Sequence, residues 1–250
     1  MNNNKLRLPF NFIGNYSIEE RIWQGATSTI YKGVSDDGKI VAIKILHPYR
    51  KEKHQIQMFI KEFKILKSLS HPNLLKVYKL GKIKNFYYMS MEYIEGENLR
   101  NFYNKNIEIF PDTILYILIK TGEVIEYIHS KRIIHNDIKP ENVLVGKNLK
   151  DIKLVDFGCA EKMRFFRKKI NYIGGTERYS PPERKDGIIN FKSDIYSYGV
   201  MLEEYLFNYD FFEKIYHIVM LAKSEDINKR PSINDLLKEL RKIYENRNNK

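Results

Sequence analysis

A chain of 250 residues, 43% hydrophobic and 30% charged, has the make-up of a soluble globular protein large enough to bury a core without disulfide or metal staples. Cys159 is the only cysteine, which excludes an intramolecular disulfide and a cysteine-built metal cluster. The net charge of +12 invites a polyanion partner. No nucleic-acid-binding module appears, and the Lys-, Asn- and Ile-rich composition typical of an AT-rich genome accounts for the excess, so no nucleic-acid partner is expected. The longest apolar run, "TILYILIK", is too short for a membrane segment. The opening "MNNNKLRLPF" has no apolar signal core, so a cytoplasmic location is expected.

Along the chain, the Asn-rich start and the tail "ENRNNK" read as frayed ends. Strands dominate from Tyr16 to about Glu92. "DDGK", Asp36 to Lys39, reads as a hairpin turn between "TIYKGV" and "IVAIKIL", with Asp-Gly supplying the positive-φ positions. A helix is predicted from about Lys51 to Leu69, with Phe59, Phe63 and Leu66 on one face. It is broken by "HPN". After Tyr93 the pattern turns helical. "PDTILYILIKTGEVIEYIHS" opens with Pro111 and the N-cap candidate Asp112. Its apolar stripe is Ile114, Leu118, Ile125 and Ile128. "RPSINDLLKEL" offers Ser232 as a cap with Asp235 three residues later.

The chemistry concentrates in "IIHNDIKPENVLV", Ile133 to Val145. A polar loop between two apolar strands is held rigidly, which suits a catalytic group. Asp137 can orient an attacking hydroxyl and take its proton. Lys139 can neutralise charge on a migrating phosphoryl group. Asn142 offers a neutral oxygen to a hard cation such as Mg²⁺.

This stretch resembles the catalytic loop of the eukaryotic-type (Hanks-type) protein kinases, and other motifs follow in the family's order. "VAIK" ends in Lys44, which the resemblance assigns to the ATP phosphates, with Glu62 as its carboxylate partner. "KLVDFGCA" supplies Asp156, a Mg²⁺ ligand together with Asn142. "GTERYSPPE" looks like the end of an activation segment. There Thr176 would hydrogen-bond Asp137 and Lys139, and Glu183 would pair with Arg230. Asp194 in "KSDIYSYGV" resembles the helix acid that braces the catalytic-loop backbone. Met91 takes the place at the back of the adenine pocket, and backbone groups of Glu92 to Ile94 would bond adenine. Ile22, Gly25, Ser28, Ile30, Ala42 and Leu144 complete the implied ATP-binding set.

The resemblance implies an α+β, bilobal protein kinase fold. A small β-rich lobe with one helix would span 16–91, a hinge 92–98 and a larger helical lobe 99–245, between an extension (1–15) and a tail (246–250). It implies an ATP- and Mg²⁺-dependent serine/threonine protein kinase acting on protein hydroxyls. Lys139 and Thr176 are what the serine/threonine members show.

Three departures stand out. The phosphate-covering loop "IWQGATSTIYKG" keeps one glycine, Gly25, where the family has three, and puts Trp23 at the first. Glycine there lets backbone N–H groups approach phosphate, so ATP binding is expected to persist in weakened form. Asn136 replaces the Arg that would pair with a phosphorylated activation loop. Between Cys159 and Gly175 the sole hydroxyl is Tyr172, so activity without activation-loop phosphorylation is expected; the run "RFFRKK" there reads as a solvated face. The interval from Gly199 to Arg230 is short, with Phe207, Phe211 and Phe212 expected to cover core. The lost glycines and short interval leave a pseudokinase scaffold as one alternative. A small-molecule kinase is the other, opposed by Lys139 and the GT…PE segment.

Overall fold

The computed structural model describes residues 11–48, 52–106, 109–163, 167–169 (backbone) and 177–248. They fall into two compact units, one reaching to Lys67 and including Leu75–Ile94, the other comprising Ser68–Leu74 and Glu95 onward.

The first unit is an antiparallel sheet with one helix. Its strands are β1 (Phe12–Ile13), β2 (Tyr16–Gln24), β3 (Ser28–Ser35), β4 (Ile40–Leu46), β5 (Val77–Ile83) and β6 (Phe86–Glu92), and its helix is α1 (Lys53–Lys67). The strand order is β1-β2-β3-β4-β6-β5. β4 reads "IVAIKIL" and is buried on both faces after Ile40, as a central strand should be. One face packs Tyr16, Tyr31, Val41, Ile43, Ile45 and Tyr88 together. The other sets Leu46 and Met89 against Phe59 of α1. The β3–β4 turn differs from the expected pair of positive-φ residues: only Gly38, at φ 80°, is left-handed. Its N–H donates to the Ser35 carbonyl at 2.8 Å, and the Ser35 N–H donates to Lys39. This is a three-residue loop closed by one left-handed residue, a geometry that demands glycine at a single position.

The second unit begins with β7 (Gly96–Asn98), α2 (Leu99–Lys105) and α3 (Pro111–Ser130). Short strands follow: β8 (Ile133–Ile134), β9 (Val143–Gly146), β10 (Ile152–Leu154), β11 (Glu161–Lys162), β12 (Arg167–Lys169) and β13 (Ile188–Asn190). Then come α4 (Phe191–Leu206), α5 (Tyr216–Ala222) and α6 (Ile233–Asn248). The strands pair as β10-β9-β7, β11-β8 and β12-β13. α3 is the central helix, with Ile114, Leu118, Ile125 and Ile128 fully buried. The Tyr198 hydroxyl of α4 donates to its Leu118 carbonyl at 2.7 Å.

The N-cap of α3 is Phe110, not Asp112. Pro111 takes the first helical position, where an N–H would go unpaired in any case and its fixed φ suits the helix. Asp112, inside the first turn, instead pairs with Arg247 at 2.6 Å. α6 starts as expected: the Asp235 N–H donates to Ser232 Oγ, and the Ser232 N–H donates to the Asp235 carboxylate. Of the three phenylalanines after α4, Phe211 and Phe212 are buried and cover core, whereas Phe207 is 63% exposed. No helix among the described residues is long and apolar enough to cross a membrane.

Candidate active site

The loop from Ile133 to Val145 is built around one buried acid. Asp194, in the first turn of α4 and fully buried, accepts the His135 N–H at 2.9 Å and the Asn136 N–H at 2.7 Å. His129, at the end of α3, adds its Nε2 to the same carboxylate at 2.9 Å. α4 is itself anchored by Asn190, whose side chain accepts from the Lys192 N–H at 2.7 Å, so this acid is held at a capped helix start. His135 is buried against Phe157, the rings edge-on at 4.6 Å. Its Nδ1 accepts the Asp137 N–H at 3.3 Å and its Nε2–H donates to the Val155 carbonyl at 3.1 Å. These roles fix the neutral Nε2–H tautomer.

Asn136 adopts φ 67°, a left-handed conformation that asparagine tolerates better than most residues. Its side chain is turned inward, with Oδ1 buried and lacking a hydrogen-bond partner among the described residues. The next three polar residues are brought together. Lys139 Nζ lies 2.8 Å from Asp137 Oδ2. Asn142 Nδ2 donates to the Asp137 carbonyl at 2.8 Å and to Asp137 Oδ2 at 3.0 Å. The amide nitrogen of Asn142 is therefore committed to Asp137, which leaves its oxygen as a neutral ligand.

Asp156 is joined to this loop through the backbone. Val155 N–H donates to the Asn142 carbonyl at 2.9 Å, where β9 and β10 pair Val143 with Leu154. Asp156 is exposed and left-handed, at φ 62° and ψ 70°, ahead of the buried Phe157. One carboxylate and one amide oxygen fit Mg²⁺, which typically takes one or two protein oxygens and completes its shell with phosphates and water. Leu144, half-buried on β9, pairs across to Lys153 and to Asn98.

In the first unit, Lys44 and Glu62 form a two-pronged pair, Nζ lying 2.6 and 2.8 Å from the two carboxylate oxygens. Both side chains are nearly buried, at 11% and 6% exposure. Ala42 pairs with Met91, and Lys44 with Ile30; Ala42, Met91 and Ser28 are buried, while Ile22 is exposed. Glu92 and Ile94 are half-buried, and the Glu92 N–H is already bonded to the Lys76 carbonyl at 2.8 Å. The β2–β3 turn is closed by the Gly25 N–H bonding Ser28 O at 2.9 Å. Trp23 is 49% exposed and its indole lies over Gly25, where any Cβ would collide with the ring. A side chain at Gly25 would therefore have to displace the indole.

Glu183 and Arg230 pair as a fork, Nη1–Oε1 2.8 Å and Nη2–Oε2 2.7 Å. Arg230 also donates to the carbonyls of Lys192 and Ser224, and Ser193 Oγ donates to Glu183. Burial pushes the Glu183 pKa up, but Arg230, the backbone and Ser193 outweigh it and hold the carboxyl below its usual range. Thr176, Tyr172 and the side chains of "RFFRKK" lie outside the described residues.

The protein kinase domain family matches residues 16–247. The chain belongs to the protein kinase family. Among curated relatives, the serine/threonine-protein kinase PrkC of Bacillus subtilis is 33% identical over 199 residues, covering 77% of this chain and 30% of its own length. A probable serine/threonine-protein kinase PknB of Lactococcus lactis is 30% identical over 200 residues, 78% of this chain and 32% of its own. The Arabidopsis thaliana serine/threonine-protein kinase RUNKEL is 34% identical over 193 residues, 76% of this chain and 14% of its own. The kinase domain described here thus spans about a third or less of the length of these relatives.

One group of residues carries no sequence signal. Arg100, Glu141, Tyr179 and Glu204 form a network beside the catalytic loop, joined by hydrogen bonds between residues 25 to 104 positions apart. His129 was likewise silent, as a lone histidine near a helix end.

Proposed function

We propose that this chain is an ATP- and Mg²⁺-dependent serine/threonine protein kinase. The observation that carries the reading is the Asp137–Lys139–Asn142 cluster, held by Asp194 and joined to Asp156 within a member of the kinase family. Bound Mg²⁺ would supply charge neutralisation at the phosphates, with Asn142 and Asp156 as its protein ligands. Asp137 orients the serine or threonine hydroxyl and accepts its proton. Lys139, already beside Asp137, offsets negative charge on the transferred group. Lys44, fixed by Glu62, holds the nucleotide phosphates, and the adenine is taken by backbone groups of Glu92 to Ile94 with Met91 and Ala42 behind. Family membership supports reading Lys44 with the loop residues. Thr176 takes the role of tying the acceptor segment to Asp137 and Lys139. Catalysis is then mainly positioning and charge stabilisation. The reading keeps a cytoplasmic setting, where ATP and Mg²⁺ are at hand.

The test is phosphate transfer from γ-labelled ATP to a panel of protein, sugar and antibiotic acceptors, with Asp137→Asn as control. Label on serine or threonine of proteins alone, lost in the variant, supports the reading. Label on small molecules alone, or none, would replace it with a small-molecule kinase or a scaffold.

A further inference from the structure

His47 follows the last residue of β4, and Thr29 is the second residue of β3. Both are fully buried, at 1% and 0% exposure. His47 Nε2 and Thr29 Oγ1 lie 2.8 Å apart. The His47 N–H donates to the Thr27 carbonyl at 2.9 Å. One histidine thus grips the β2–β3 turn at two points, through its ring and through its backbone. The pairs Ser28–Leu46 and Thr29–Ile45 end the β3–β4 ladder beside it, so the bond between Thr27 and His47 carries that ladder into the turn.

The grip comes from behind the loop. Successive strand residues alternate between faces. Ile43 and Ile45 face the cluster of Tyr16, Tyr31 and Tyr88, and Thr29, opposite Ile45, faces the same way. Lys44 is on the other face, paired with Glu62 of α1. At the tip, Ala26 and Thr27 are exposed, and neither N–H has an acceptor among the described residues. Two adjacent backbone N–H groups are a ready receiver for a phosphate oxygen. The bond from the Gly25 N–H to the Ser28 carbonyl closes the turn on one side and His47 holds it on the other, so these donors are placed before a ligand arrives. With Trp23 and Ser28 where glycines would stand, the loop has less freedom to fold onto phosphate, and preorganisation carries more of the affinity.

We infer that His47 is a positioning residue for ATP: by bonding Thr29 and Thr27 from the core side, it holds the 25–28 turn in the form that receives the phosphates. This rests on the proposed ATP-dependent kinase activity. The role is specific to phosphate, because adenine is taken elsewhere, by backbone groups of Glu92 to Ile94 in the proposed reading.

The experiment compares wild type with Thr29→Val, His47→Ala and His47→Gln. Affinities for Mg-ATP and for adenosine are measured by calorimetry, and amide hydrogen exchange at positions 25 and 47 is followed without nucleotide. Thr29→Val is nearly isosteric and removes only the hydroxyl, so it serves should His47→Ala fold poorly. Thr29→Val and His47→Ala should bind Mg-ATP about three- to tenfold more weakly, the scale of one lost buried hydrogen bond. Adenosine affinity should stay within about twofold of wild type, and both amides should exchange at least about threefold faster. His47→Gln, whose amide can still pair with the Thr29 hydroxyl, should lie nearer wild type in both measurements. A histidine with a structural role alone would not separate ATP from adenosine. Equal losses for the two ligands, an unchanged ATP affinity, or unchanged exchange at both amides would overturn the inference. If the wild type binds neither ligand, the ATP-dependent reading fails, and the exchange arm still decides whether His47 holds the turn.

Discussion

Both carboxylate oxygens of Asp194 accept backbone N–H groups of the loop that carries Asp137, so the shape of that loop depends on one buried side chain. Asp194→Asn turns an acceptor into a donor facing those N–H groups. It should cost about 2–3 kcal/mol in chemical denaturation, the scale of lost hydrogen bonds to a charged acceptor. Asp137→Asn should behave oppositely. Its melting temperature should stay near wild type, because the ion pair it loses to Lys139 is partly exposed, while phosphate transfer falls at least about a hundredfold with the proton acceptor gone. At this scale Asp137, Lys139 and Asn142 were legible from spacing within one loop. The left-handed Asn136 and the direct Asp137–Lys139 pair were not, since both follow from how Asp194 bends the backbone from 58 and 59 positions away. Arg100 was illegible for the same reason: its partners are set by tertiary packing.

Among the elements, the bond between the segment before β13 and the approach to α6 is the fork of Glu183 and Arg230. Arg230 is 1% exposed, so Arg230→Met leaves a lone buried carboxylate and should cost about 3–5 kcal/mol at neutral pH. Replacing both partners with Met and Leu should recover most of that. The Glu183 carboxyl is held below its usual pKa, so its contribution is present above about pH 4.3, the ordinary Glu value, and is lost as pH falls through the lower folded value. The stability gap between wild type and Arg230→Met, read from urea melts across acid pH, should therefore narrow below about pH 4.3. At the other end of the chain, Trp23→Gly uncovers Gly25 in the β2–β3 turn. Nucleotide affinity should rise, and an unchanged Kd would remove the idea that the indole weakens binding. Elements with strong local signals, such as the Ser232–Asp235 cap, were legible. The cap of α3 and the single left-handed residue of the β3–β4 turn were not, because several turn geometries suit the same residues.

For the whole molecule, family membership and fold class were legible because the motif series spans almost the entire chain, and the family match covers 16–247. With Asn136 in place of a cationic residue, turnover should be unaffected when the purified protein is treated with phosphatase before assay. The most direct measurement of the central claim is mass-spectrometric mapping of phosphate on this chain and on a test protein after incubation with Mg-ATP, beside the Asp137→Asn variant. The account predicts phosphoserine and phosphothreonine in the wild-type reaction and almost none in the variant. Equal phosphate in both reactions, or none in either, would contradict it.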